Sequence, residues 1–192
     1  MSFPLSFKKF FKNIREELFS KKKLPSSNFF EISKDDPIDV IFAKNLNNSG
    51  GKFFYCKDIQ NVKKILEKLI SHLEINKLYC SDNKLQNTFN LDSLTVKLDN
   101  KKNYQGIITN CEFIIADQGK VMLSSEQIQN KKISNLPKEL IIISYTSQIV
   151  RRINDAMRSL TKKYKDKIPS NISTIGNGEK NINVIIIEDF KT

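Results

Sequence analysis

The stretch Gln105–Ser125, QGIITNCEFIIADQGKVMLSS, decides how the chain is read. Ile107–Thr109 and Phe113–Ala116 are short apolar, β-branched runs, and Val121–Leu123 is a third. Branched and aromatic side chains pack well on a pleated surface, so each run reads as a strand. Asp117-Gln118-Gly119 separates the last two runs, and Gly119 can supply the positive φ that a tight connection needs. Phe113–Leu123 is therefore expected to form a β-hairpin. Small and polar residues crowd the strand ends: Thr109, Asn110, Glu112, Asp117 and Gln118. Ligands of α/β sheets gather at strand ends, so this stretch is expected to line any pocket the chain has.

On its N-terminal side, helical and extended patterns alternate. Phe7, Phe10, Phe11, Ile14 and Leu18 fall at helical spacing opposite Lys8, Lys9, Lys12, Arg15 and Glu16. Residues 1–24 thus read as an amphipathic helix ahead of a single domain over 25–192, packed on that domain or a dimer mate rather than on a membrane. Pro37 opens a second helix, Ile38–Leu46, which Asn47–Gly51 stops. Phe53–Cys56 reads as a strand, Asp58 as the cap of a helix Ile59–Leu73, and Lys77–Cys80 as the next strand. That order predicts a βαβ unit with parallel pairing and a right-handed crossover. Asp82 then caps a short helix through Phe89, a strand is expected within Leu91–Leu98, and Asp99–Asn103 is a charged loop.

On the C-terminal side, Glu126–Asn135 reads as a polar loop and Leu140–Ser144 as a strand buried on both faces. Ser147 is expected to cap a helix Gln148–Tyr164, with Ile149, Ile153, Ala156, Met157, Leu160 and Tyr164 as its apolar stripe. Arg151, Arg152, Arg158, Lys162 and Lys163 form its charged side, read as a solvated face rather than a phosphate site. Ile172–Ile175 and Ile182–Ile187 are the last strands, and Gly176-Asn177-Gly178 between them is read as a plain β-turn. The alternation predicts an α/β fold: a three-layer α/β/α sandwich with a mostly parallel sheet and an inserted hairpin.

The 192 residues carry 32 basic and 21 acidic side chains, a formal charge of +11. Such a balance suits an anionic partner. The lysines are scattered among Asn and Ile, however, with no Arg-rich or aromatic-interleaved motif, which argues against a dedicated nucleic-acid binder. No apolar run reaches membrane-span length, and the N-terminus lacks the apolar core of a signal peptide, so a soluble, cytoplasmic chain is expected. Cys56, Cys80 and Cys111 are far apart in apolar runs, and His72 is the one histidine. An intrinsic zinc or iron–sulfur site is not expected, and no cofactor is assigned; the cysteines read as reduced, buried hydrophobes and His72 as a surface or cap residue. G-x-S-x-G, G-x-G-x-x-G, P-loop and H-E-x-x-H motifs are absent. Glu112 and Asp117, five apart on a strand, point to opposite faces and do not read as an acid/base pair, and Lys120 is expected to face Asp117 across the turn.

The run Ile108–Lys120, ITNCEFIIADQGK, resembles the LUD-domain family, typified by the C subunit of bacterial lactate-utilisation systems. That family carries the pattern I-T-x-x-[DE]-x-x-[IV]-A-x-[TS]-G-[TS], then a strand and Ser, which Ser124-Ser125 match. Gly50-Gly51-Lys52-Phe53, Leu136-Pro137 through Ile143, Ser147–Val150, Pro169-Ser170 and Ile175-Gly176 resemble further family segments in order. The resemblance implies the fold of the ribose-phosphate isomerase and CoA-transferase group. It implies a role in oxidising lactate to pyruvate alongside iron–sulfur partner subunits, with a small anion as ligand. The rival readings are an enzyme of the same fold acting on a phosphorylated sugar or acyl-CoA, and a basic nucleic-acid-binding module. Thr109, Glu112, Gly119, Ser124 and Gly176 match family positions, and with Asp117 and Gln118 they are the candidate ligand-binding residues. Gln118 and Lys120 stand where the family has hydroxyls, and its G-P-S-x-T-A-D-I-E strand and G-x-H-G-P segment have no counterpart here. The resemblance thus implies a divergent member with a shortened C-terminal motif.

Overall fold

The computed structural model describes residues 29–80, 82–91, 104–165, 167–178 and 180–189. The helix expected over residues 1–24, residues 92–98 of the expected strand segment and the loop 99–103 lie outside these residues. The first described helix, α1 (Ile38–Asn48), leads into β1 (Lys52–Cys56), α2 (Ile59–His72), β2 (Leu78–Tyr79), α3 (Asn83–Phe89) and β3 (Gly106–Thr109). Next come the hairpin strands β4 (Phe113–Ile115) and β5 (Lys120–Ser124), then α4 (Ser125–Ile128), β6 (Glu139–Tyr145), β7 (Ile149–Val150), α5 (Ile153–Tyr164), β8 (Ile172–Ile175) and β9 (Asn181–Ile187).

Among the described residues, the strands form two sheets. The larger is wholly parallel, in the order β1-β9-β6-β3-β2. Its central strands are the continuous apolar runs: Leu140–Ile143 in β6 and Val184–Ile187 in β9 are buried on both faces. Side chains alternate across it with period two. Leu140, Ile142, Val184 and Ile186 join one core, and Ile141, Ile143, Ile185 and Ile187 the other. The second core is covered by α2, whose Val62, Ile65, Leu66 and Leu69 lie on one face, and by Phe89 of α3. The first is covered by α1 and by the smaller sheet, in the order β7-β4-β5-β8. The outer face of that sheet packs Ile115 and Met122 against Ala156 and Leu160 of α5. The fold is thus an α/β sandwich with a mostly parallel sheet, as the alternation predicts.

Several local expectations hold. Asp58 caps α2 by accepting a hydrogen bond from the Asn61 amide at 2.8 Å, and Asp82 caps α3 through the Lys84 amide. The hairpin forms with Phe113 opposite Met122, and its connection is a 3₁₀ turn, Ala116–Gln118, closed by Gly119 at φ 59°. All three cysteines are buried.

Others are corrected. β1 and β2 do not pair with each other; they lie at opposite edges of the sheet. β9 offers β1 a five-residue register, from Lys52–Asn183 to Cys56–Ile187, whereas β2 pairs over only Leu78 and Tyr79. The long apolar strand therefore takes the place beside β1. Glu126–Asn135 is not a plain loop, because Ser124 and Gln127 form a capping box that starts α4. The long helix begins at Ile153 rather than Gln148: Thr146–Gln148 is a 3₁₀ turn, and Ile149 and Val150 pair in parallel with Ile114 and Ile115. The Ser147 hydroxyl donates to Asp189 instead of capping. The Gly176–Gly178 turn does not close a hairpin either. β8 pairs with β5 in the small sheet and β9 with β6 and β1 in the large one, so the turn passes between sheets. Asn177 fixes that passage, accepting from the Ile182 amide and donating to the Ser49 carbonyl.

Candidate functional site

The seven candidate residues separate along the hairpin into two groups. Thr109 is buried at the end of β3, and Glu112 and Ser124 are buried where β4 starts and β5 ends. Asp117, Gln118 and Gly119 are at its tip, and Gly176 lies over the methylenes of Lys120 beside it.

Glu112 is the centre of the first group. Its side chain is 0% exposed, yet it is ionised and fully engaged. Gln127 Nε2 donates to Oε1 at 2.7 Å and the Tyr164 hydroxyl donates to it at 2.9 Å. The Ser124 hydroxyl lies 2.8 Å from the same oxygen and 2.8 Å from Gln127 Oε1, so its single proton serves one of them at a time. Lys163 Nζ donates to Oε2 at 2.7 Å. Burial pushes this carboxyl up, but the bonds from Lys163, Gln127, Ser124 and Tyr164 outweigh it and hold Glu112 below the usual carboxylate range. Lys163 answers in the opposite sense: burial lowers it, and the bond to Glu112 more than compensates. Thr109 joins the edge of the cluster through the Gln127 carbonyl at 3.4 Å. Beneath it, the Cys111 thiol meets the Ser144 hydroxyl, which meets Gln148 Oε1, and Gln148 Nε2 donates back to the Cys111 carbonyl at 2.6 Å. Burial pushes the Cys111 thiol up to about 12, so it is neither a thiolate nor a nucleophile at neutral pH.

Of the second group, Asp117 lines an open pocket of about 190 Å³, together with Ile32, Ser33, Lys34, Ile41, Asn45 and Arg151. The turn is seated on α1: Asn45 Nδ2 donates to the Ala116 carbonyl, and a Cβ on Gly119 would lie 2.8 Å from the Asn45 carbonyl carbon. Asp117 is met by Arg151 at 3.4 Å and Arg152 at 3.5 Å, rather than by Lys120 across the turn. The backbone sets this up, because the Asp117 amide donates to the Arg151 carbonyl beside the β4–β7 pairing. Gln118 is exposed at the tip. The pocket thus presents Lys34 and Arg151 against one carboxylate, with Ile32 and Ile41 as apolar wall. That chemistry suits a small anion with an apolar part.

Residues 98–190 match the LUD domain, over a segment that contains both groups. The LUD-domain match covers this C-terminal segment. A crystal structure of a DUF162 family protein from Deinococcus radiodurans is similar to it, with a TM-score of 0.64 and 12% identity, over 83% of this chain and 100% of that one. At that identity the likeness concerns the fold, which extends N-terminal of the matched segment. No curated protein matches the chain. Thr109, Glu112 and Ser124, three of the candidate residues, meet in one network. Sequence reasoning missed three of its members. Gln127 carried a local signal, the S-x-x-Q spacing of a capping box with Ser124. Lys163 and Tyr164 carried none, since their bonds to Glu112 span 51 and 52 residues.

Proposed function

We propose that this LUD-domain chain is an accessory subunit in the oxidation of lactate to pyruvate, working beside iron–sulfur partner proteins and contributing binding rather than chemistry. Membership of the family supports the pathway. The state of Glu112 supports the division of labour. The acid at the family's [DE] position is 0% exposed and held by Ser124, Gln127, Lys163 and Tyr164, so it has no free oxygen to offer a substrate. A general base needs hydrogen-bond reach to the proton it takes. Small anions then bind at the hairpin tip, where Lys34 and Arg151 border the pocket.

Two measurements test this reading. The tagged full chain, isolated from its native cell, is expected to bring with it iron-containing partners that reduce a dye when lactate is added. Titration of the isotope-labelled chain with lactate, pyruvate and phosphate is expected to move the amide signals of Asn45, Asp117 and Arg151. An assembly without iron that ignores lactate overturns the pathway assignment. Shifts that centre on Glu112 instead of the tip overturn the assignment of the site.

A further inference from the structure

We propose that the outer face of α5 is a docking surface for an acidic segment of a partner protein. The proposal stands independently of the lactate reading. Arg158 and Lys162 are exposed four residues apart on one side of the helix, and Lys165, exposed as well, follows its last residue, Tyr164. Arg152, just ahead of the helix, has a side chain 74% exposed. The one acid within α5, Asp155, accepts from the Arg152 amide and stands three residues before Arg158, so the cations of this side outnumber its carboxylates.

Helix stability explains only part of the pattern. Cations near a helix C-terminus interact favourably with its dipole, which accounts for Lys162 and Lys165. Arg158 is in the middle of the helix and gains nothing from the dipole. Arg152 stands at the positive end, where a cation is unfavourable, and shares Asp117 with Arg151. Apolar surface accompanies the charge. Met157, next to Arg158, is 41% exposed, and Ile168 beyond the helix is 42% exposed. Methionine adapts its shape to apolar partners. A cationic stripe bordered by methionine fits an amphipathic acidic segment better than nucleic acid, which would ask for aromatic stacking residues. The aromatic on this helix, Tyr164, has its hydroxyl bound to Glu112.

The test uses the full isotope-labelled chain and three probes: a synthetic amphipathic peptide with Glu and Leu at helical spacing, the same peptide with Gln for Glu, and a 20-nucleotide oligothymidylate. The acidic peptide is expected to shift the amides of residues 152–165 and to weaken as salt rises, with the Gln peptide at least tenfold weaker. The triple variant Arg158→Glu/Lys162→Glu/Lys165→Glu is expected to lose at least tenfold in affinity. The variant Lys57→Glu/Lys64→Glu/Lys68→Glu, with the same change in net charge, is expected to bind as the natural chain does. Equal losses in the two variants, shifts mapping away from α5, or tighter binding of the oligonucleotide than of the peptide would each overturn the proposal. The shift map of the natural chain decides the matter even if the triple variant does not fold.

Discussion

Glu112→Gln keeps the shape of the buried side chain and removes its charge, so it isolates what the network contributes. Ser124, Gln127 and Tyr164 all address Oε1, and an amide oxygen there can still accept from them. Each bond loses its charge assistance, a difference of about 1 kcal/mol per bond. At the other oxygen an amide NH₂ would face Lys163 Nζ, now 2.7 Å away, donor against donor. The Lys163 side chain is 51% exposed, so the ammonium can turn into water, and the lost pair costs about 1 kcal/mol at most. Against these losses, the amide avoids the desolvation of a buried carboxylate. The net expectation is a destabilisation of roughly 2–3 kcal/mol at pH 7, a large share of the ~5–15 kcal/mol of an ordinary domain.

The pH dependence gives the sharper check. Glu112 is held below its ordinary 4.5, so its contribution is full above that value and is lost as pH falls through the depressed one. The gap between the natural chain and Glu112→Gln should therefore be constant from pH 7 to 5.5 and narrow toward pH 3. Urea unfolding followed by far-ultraviolet circular dichroism measures it; tryptophan fluorescence cannot, because the chain contains 0 Trp. A gap under about 1 kcal/mol at pH 7, or one as wide at pH 3 as at pH 5.5, refutes the reasoning.

Gly119→Ala should cost at least about 2 kcal/mol, because a Cβ would meet α1 backbone at 2.8 Å while φ stays at 59°; an unchanged melting temperature would contradict this. Asp58→Ala removes the acceptor of the Asn61 amide and should cost about 1 kcal/mol, with Asp58→Asn recovering most of it in the same urea series. The three cysteines should resist alkylation at pH 8 in the native state and all react in denaturant, since burial pushes Cys111 up to about 12 and Cys80 up to about 11. Rapid native labelling, read by mass spectrometry, would show that these thiols are reachable.

The elements that could be read from sequence are those whose causes are local. Asp58 and Asp82 sit one residue before their helices and cap them through amides two or three residues on. Gly119 closes a turn between two apolar runs, and Leu140–Ile143 has no polar face, which calls for cover on both sides. The misreadings share the opposite property. Ile149-Val150 continues an apolar helical period with Ile153, but two bonded residues on β4 claim it as a strand. Asn177-Gly178 has the composition of a hairpin turn, yet the partners of its flanking strands lie some fifty residues upstream for β8 and far back in the chain for β9. Tertiary pairing overrides local preference in both places.

The candidate site divides on the same line, and the division bears on function. A run of motif residues can mark a site of chemistry or a site of assembly, and sequence alone does not distinguish a carboxylate that awaits a substrate from one already committed. Glu112 is committed by Lys163 and Tyr164, which enter from the end of α5 and close the network over the strand. Those bonds tie the small sheet to its outer helix beside the apolar core of Ile115, Met122, Ala156 and Leu160, around which Phe113, Val150, Ile153, Tyr164 and Ile172 pack. A buried, charge-assisted network adds directional bonds to that non-directional apolar contact and so favours one relative placement of the two elements. That placement seats the residues leading into α5 against the hairpin, with Arg151 on Asp117 at the pocket rim and Arg152 at the head of the cationic stripe. Glu112→Gln should therefore loosen the register of α5 and, with it, both surfaces. Binding of small anions at the tip and of the acidic peptide on α5 should weaken together in that variant, although neither ligand touches Glu112.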